Sequence, residues 1–258
     1  MVAPDPVAFR IFGFDVMWYG VLIGMAILLA CAIACRRAPK FGIDPDALLD
    51  VLIAAIPAGV VGARAYYVAF KWDQYAGDFF KMIDIRSGGL AIHGGLLLGL
   101  FCGALMCRRK GIRVLAALDL AAPSVALAQS IGRWGNFFNE EAHGGLTDFP
   151  IYVWIDGQKY HATFLYESVW CLLLGLFLLY FSRKERFQGQ VFCLYVMLYS
   201  AERFCVEGLR TDSLMIGPLR QAQVLSLVLI VLAACLYGWL SGRQKRKKLH
   251  NTNSKDML

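Results

Sequence analysis

The sequence predicts an all-α integral membrane protein of about seven transmembrane helices, N-terminus outside and C-terminus inside. Three observations carry that prediction. Of 258 residues, 58% are hydrophobic and only 17% charged, with a mean hydropathy of +0.53; soluble domains of this length carry more charge. Apolar runs of about 18–23 residues recur, the length that crosses a bilayer. Lys and Arg cluster in alternate connections between those runs.

The runs are Phe14–Cys35, Leu48–Phe70, Gly89–Cys107, Val114–Ile131, Thr163–Phe181, Gln190–Val206 and Ala222–Leu240. Each is expected to be a helix, because lipid cannot satisfy an unpaired backbone. The first is followed by Arg36-Arg37, a stop-transfer flank, so it reads as a retained anchor and not as a cleavable signal peptide. After the second, Trp72, Tyr75, Phe79, Phe80 and Ile83 recur at helical spacing between Lys71, Asp73, Asp78 and Lys81. That pattern suits a helix lying in the interface or a loop in the aromatic belt. Residues 133–162 read as a small extracytoplasmic cap. Within it Ile151–Ile155 is strand-like and Asp156-Gly157 is a hairpin turn signal, which predicts a β hairpin. The connection Glu207–Gln221 holds Arg210, Asp212 and Arg220 among Gly208, Gly217 and Pro218. It suits a mobile polar loop or a substrate-facing gate. Residues 1–242 are expected to form the transmembrane catalytic domain and 243–258 a basic cytoplasmic tail.

The segments Arg36–Lys40, Arg108–Arg113, Arg183–Arg186 and Arg243–Lys255 together hold 16 of the 26 Lys and Arg. The positive-inside rule places all four in the cytoplasm. The net charge of +7 therefore reads as topology and contact with anionic lipid, not as nucleic-acid binding. All 8 cysteines lie in apolar runs without metal-ligand or disulfide spacing, and read as small buried hydrophobes. No metal site, cofactor or transporter-type repeat is expected.

Arg64, His93, Asp119, Arg133, Glu167, Glu202, Arg203 and Glu207 lie within or at the ends of spans. Facing lipid would be costly for each, so they are expected to line a polar chamber. His93 is flanked by Gly88-Gly89 and Gly94-Gly95, and suits either packing or catalysis. Arg133 and Arg203 cannot discharge by deprotonation and need anions. Glu207 stands four residues after Arg203, on the same helix face; an ion pair there and a two-arginine phosphate clamp both fit. Tyr19 reads as a belt aromatic, Tyr199 as chamber lining, and Arg64 as the partner of a carboxylate. These residues alone leave an anion or phospholipid transporter, a lipid-handling enzyme and a structural or sensory membrane protein in competition.

The most specific stretch is Gly132-Arg133-Trp134-Gly135-Asn136-Phe137-Phe138-Asn139-Glu140-Glu141. With Trp18-Tyr19-Gly20, Gly62-Ala63-Arg64, His93-Gly94-Gly95 and Arg203–Asp212, it resembles the bacterial prolipoprotein diacylglyceryl transferase family, collinearly over nearly the whole chain. The resemblance implies transfer of the diacylglyceryl group of phosphatidylglycerol to the thiol of a prolipoprotein lipobox cysteine, at the outer side of the bacterial inner membrane, with no metal or cofactor. It implies His93, Arg133 and Arg203 as catalytic residues. Arg133, Tyr19, Asn136, Asn139, Glu141, Gly144, Tyr199, Glu207 and Arg210 would bind substrate. Two departures stand out: Ala162 and Phe164 replace the proline and glutamine that often follow the family's histidine. Glu140 stands where Gly or Gln is common.

Overall fold

The computed structural model describes residues 1–85, 88–211 and 215–255, without the side chains of Ile216 and 247–255. Asp212 and part of the basic tail therefore lie outside the described residues. The chain is mostly helical. Among the described residues, five stretches are long and apolar enough to cross a membrane: Trp18–Phe41, Pro45–Phe70, Val114–Phe138, Thr163–Lys184 and Gln221–Arg246. Their outer faces carry large exposed apolar side chains such as Leu28, Ile53, Leu173 and Leu232, as a lipid-facing surface requires. The two other expected spans are helices of 18 residues each, Ile92–Arg109 and Gln190–Glu207. Glycines and arginines dilute the apolar character of the first; Gln190, Glu202, Arg203 and Glu207 dilute that of the second.

The chain divides into two compact units, Met1–Ala34 with Leu118–Leu258, and Cys35–Ala117. The first unit opens on a hairpin that the hydropathy pattern hid. Strands β1 (Val7–Ile11) and β2 (Phe14–Met17) pair antiparallel around Phe12-Gly13. Both turn residues have positive φ, 48° and 80°, the conformation that two-residue hairpin turns demand. Helix α1 (Trp18–Arg37) therefore starts four residues later than the apolar run beginning at Phe14.

In the second unit, α2 (Pro45–Phe70) starts on an Asp44 cap whose side chain accepts from the Ala47 N–H at 3.3 Å. Two short helices follow, α3 (Trp72–Tyr75) and α4 (Phe79–Ile83), in place of one interfacial helix. Helix α5 (Ile92–Arg109) packs on α2 with their backbones nearly touching. A Cβ at Gly62 would stand 2.5 Å from the Gly94 carbonyl oxygen, and one at Gly94 would stand 2.3 Å from the Gly62 oxygen. Small residues are what let two helices approach so closely. Among the described residues Arg64 has no carboxylate partner, contrary to expectation. It donates to the carbonyls of Lys81 (2.5 Å), Met82 (2.9 Å), Gly88 (2.6 Å) and Gly89 (3.0 Å). Its guanidinium therefore organises the chain between α4 and α5.

Back in the first unit, α6 (Val114–Phe138) runs seven residues beyond the expected end at Ile131. The signature from Gly132 to Phe138 is therefore helix. Strands β3 (Tyr152–Ile155) and β4 (Gln158–His161) form a hairpin around Asp156-Gly157. Its inner side, Val153 and Ile155, packs with Ala162, Phe164 and Phe137. The two departures, Ala162 and Phe164, are thus core residues at 0% and 3% exposure. Helices α7 (Thr163–Phe181), α8 (Gln190–Glu207) and α9 (Gln221–Lys255) follow, with β5 (Met215–Ile216) and β6 (Leu219–Arg220) paired between the last two. Ala122, Ala126, Leu174, Leu178 and Val191 join α6, α7 and α8 in one core. Asp119, fully buried, caps α8 from α6: it accepts from the N–H of Gly189 and from that of Phe192 (2.8 Å). The first turn of a helix has N–H groups with no internal acceptor, so this membrane-depth carboxylate is a structural one.

The cysteines correct the sequence reading. Cys107, Cys171 and Cys193 are buried, but Cys205 and Cys235 are exposed on the helix surfaces. A small apolar side chain serves equally on a lipid-facing surface.

Candidate functional site

Within the first unit, α6, α7 and α8 bring a charged cluster together. Its centre is Glu167, the fifth residue of α7 and fully buried. Glu167 Oε1 lies 3.1 Å from Arg133 Nη2 of α6 and 2.8 Å from Arg203 Nη1 of α8. One carboxylate oxygen therefore serves two guanidiniums. Arg133 also donates to the Tyr199 hydroxyl at 3.1 Å, and Tyr199 stacks on Tyr195 with centroids 5.8 Å apart. Arg203 Nη2 pairs with Glu207 Oε2 at 2.6 Å, the i,i+4 contact that its spacing predicts. Arg210 Nε stands 4.0 Å from the same Glu207 oxygen. Arg220 donates to the Glu207 carbonyl. Glu202, next to Arg203 in sequence, is buried within the electrostatic reach of Arg133, Arg203 and Glu167.

Neighbouring contacts hold these elements in register. Trp134 Nε1 donates to Ser168 Oγ at 3.1 Å, and Ser168 Oγ donates to the Ser130 carbonyl at 2.7 Å. These bonds tie α6 to α7 at the residues next to Arg133 and Glu167. Tyr19 lies on the same side: a Cβ at Gly135 would stand 2.6 Å from its ring, and both Glu141 and Arg133 act on its hydroxyl. Only glycine lets that ring lie flat against α6.

The remaining expected site residues divide. Asn139 and Glu141 follow α6 and pair with each other at 3.4 Å. Asn136 accepts the Glu141 N–H through its backbone carbonyl at 3.0 Å. Gly144 is a junction: its N–H donates to the His161 carbonyl at 3.0 Å, it bridges Arg210, and a Cβ there would meet His161 Cβ at 2.7 Å. Its part is to let the chain around the β3–β4 hairpin close onto the chain after α8. His93 belongs to the other unit. It stands exposed in the first turn of α5, its ring centroid 6.3 Å from that of Tyr66.

Sequence reasoning placed Glu167 among residues needing a partner but not in the site; it named Gly135 only within the signature and Arg220 only within the connection Glu207–Gln221. The signal for Glu167 was present: a carboxylate within an apolar span requires a cation. Nothing local names which cation. Among the described residues no group of three or more His, Cys, Asp or Glu is placed to hold a metal ion.

The cluster presents two adjacent guanidiniums, fixed by carboxylates and partly exposed, at 19% and 21% of their side-chain surface. Such a pair can hold an oxyanion bidentately. Comparison with known proteins gives this geometry its context. The prolipoprotein diacylglyceryl transferase family matches residues 6–239. The phosphatidylglycerol–prolipoprotein diacylglyceryl transferase of Clostridioides difficile (strain 630) is 46% identical over 241 residues, 93% of this chain and 97% of that protein. The protein of the same name from Clostridium novyi (strain NT) is 49% identical over 242 residues, 90% of this chain and 94% of its own. That from Bacillus cereus (strain Q1) is 45% identical over 241 residues, 89% of each. The chain therefore belongs to the prolipoprotein diacylglyceryl transferase family.

Proposed function

We propose that this transferase moves the diacylglyceryl group of phosphatidylglycerol onto the lipobox cysteine of prolipoproteins, with the arginine pair on Glu167 as its phosphate site. That pair, built into the family signature, is the observation that carries the assignment. The thiol sulfur attacks the glyceryl carbon that bears the phosphate ester. A C–S bond forms, the C–O bond breaks, and glycerol phosphate leaves with the bonding pair. Arg133 binds the lipid phosphate, and Arg203 takes the charge that grows on the departing oxygen. One well-placed electrostatic donor contributes about 3–4 kcal/mol to such a step.

A thiol reacts as the thiolate, with an unperturbed pKa of about 8.5, so its proton needs an acceptor. His93 is assigned that proton. Tyr19, Asn136, Asn139 and Glu141 orient the lipid headgroup; Tyr199, Glu207 and Arg210 hold the arginines; Gly144 fixes the cap. The chain crosses the bacterial inner membrane seven times, N-terminus out and C-terminus in. Residues 1–242 form the catalytic domain, 133–162 its outer cap, and 243–258 a cytoplasmic tail against anionic lipid. The site faces outward; lipid enters sideways between helices and the peptide from the outer face. No nucleic acid takes part.

The test is direct. Purified protein is incubated with phosphatidylglycerol vesicles and a lipobox peptide, and the peptide is weighed by mass spectrometry. A diacylglyceryl adduct, absent with Arg133→Ala and much reduced with His93→Asn, is expected. Folded, lipid-binding protein that forms no adduct would overturn the assignment in favour of lipid or anion transport. Normal turnover in His93→Asn would remove His93 from the reaction.

A further inference from the structure

One member of the charged cluster has no hydrogen-bond partner for its carboxyl oxygens among the described residues. Glu202 is 7% exposed, and both its carboxyl oxygens are buried without a hydrogen-bond partner among the described residues. Glu167, Arg133 and Arg203 act on it electrostatically, and it acts in turn on Cys171. The arginines are engaged with other groups: Arg133 with Glu167 and Tyr199, Arg203 with Glu167 and Glu207. Buried polar groups are nearly always satisfied, and an unsatisfied one marks a cost that something else offsets. Two empty acceptors beside a phosphate site point to a donor that arrives with the substrate.

Resting on the transferase reading, we infer that Glu202 accepts hydrogen bonds from the hydroxyl groups of the glycerol headgroup of phosphatidylglycerol, and so selects that lipid. The chemistry is complementary. The headgroup glycerol is one ester bond from the phosphorus, so its two adjacent hydroxyls stay within a few bonds of whatever Arg133 and Arg203 hold. Arginine has donors only, and cannot receive those hydroxyl protons. Glu167 directs Oε1 and Glu207 directs Oε2 to the arginines; Glu167 Oε2 is a single buried acceptor without a hydrogen-bond partner among the described residues. Glu202 offers the two further acceptors, side by side on one carboxyl group. A buried site built to bind a hydroxyl rejects an analogue that lacks it, because the site's own polar atoms are then left unpaired.

The experiment compares phosphatidylglycerol with phosphatidylpropanol, which keeps the phosphate and acyl chains but has no headgroup hydroxyl. Transfer to a lipobox peptide is measured with wild type, Glu202→Ala and Glu202→Gln. Wild type should prefer phosphatidylglycerol in kcat/KM by on the order of 10–100-fold. Glu202→Ala should bring the ratio close to one, with the loss of rate concentrated on phosphatidylglycerol. Glu202→Gln, closer in shape, should cut the ratio severalfold and serves if the alanine variant does not fold. An unchanged ratio in the folded variants, equal slowing of both lipids, or a wild type indifferent to the hydroxyls would overturn the inference. So would a wild type that prefers phosphatidylethanolamine, whose ammonium a carboxylate could also take. Absence of any adduct from any lipid in wild type is a different failure: it removes the transferase reading itself.

Discussion

Glu167 Oε1 sits between Arg133 Nη2 at 3.1 Å and Arg203 Nη1 at 2.8 Å, with the carboxylate fully buried. Two guanidiniums so close would repel without it, and neither is free to swing toward lipid. The carboxylate thus does two jobs: it sets the spacing of the two arginines and offsets part of their charge. Under the proposed function, an incoming phosphodiester would meet arginines already in place, which limits the reorganisation needed during the reaction.

Replacing Glu167 should therefore damage both fold and function. Removing one partner of a buried ion pair costs about 3–5 kcal/mol, and here two arginines lose their anion. Glu167→Gln should lower the thermal midpoint in detergent and reduce transfer far more than a surface substitution does. A variant as stable and as active as wild type would show that the arginines are held by other contacts.

The two arginines should differ from lysine at the same positions. A guanidinium holds carboxylate and phosphate through a planar fork; an ammonium is a point charge on a flexible stem. Arg133→Lys is expected to bind lipid but to lose most of its turnover, and Arg133→Ala to lose all of it. Arg203→Lys should also weaken the Glu167 and Glu207 contacts and so lower stability. Initial rates on phosphatidylglycerol, with unfolding curves for each variant, test this; full activity in Arg133→Lys would refute bidentate binding.

Asp119 gives the opposite expectation. It stands 14 residues before Arg133 on α6, about 21 Å along a helix axis, and caps α8. Asp119→Ala should cost about 1–2 kcal/mol through loss of that cap, while transfer per folded molecule stays near wild type. If specific activity fell as sharply as in Arg133→Ala, the separation between structural and reactive carboxylates would be wrong.

Gly144 and Gly145 make a matched pair. A Cβ at Gly144 would meet His161 Cβ at 2.7 Å, the Leu209 carbonyl oxygen at 3.0 Å and Thr163 Cγ2 at 3.2 Å; at Gly145 the nearest atom is 3.6 Å away. Gly144→Ala should cost about 1–3 kcal/mol by overpacking and loosen the cap beside Arg210, with loss of activity. Gly145→Ala should be mild. Equal behaviour of the two variants, in stability and in transfer, would contradict the packing seen at this junction.

Much of this was legible before any coordinates. Apolar length set the class, and the ends of Thr163–Phe181 coincide with those of its run. The Asp156-Gly157 pair marked its hairpin because such turns need positive φ, here 48° and 77°. The Arg203–Glu207 contact followed from i,i+4 spacing. All three are local: periodicity, turn conformation and helix pitch are written within a few residues of the chain. The hairpin at Phe12-Gly13 escaped because its strands were short and its second strand began an apolar run.

What only the tertiary structure decided is which distant groups meet. Arg133 and Glu167 are separated by 34 positions and Glu167 and Arg203 by 36, yet one oxygen joins all three. Asp119 became the cap of α8, and Arg64 took backbone carbonyls instead of a carboxylate. The rotation of each helix about its axis chooses the partner, and packing against its neighbours fixes that rotation. The sequence by itself determined that buried charges must be paired; helix packing determined with whom, and left the Glu202 carboxyl without a hydrogen-bond partner among the described residues.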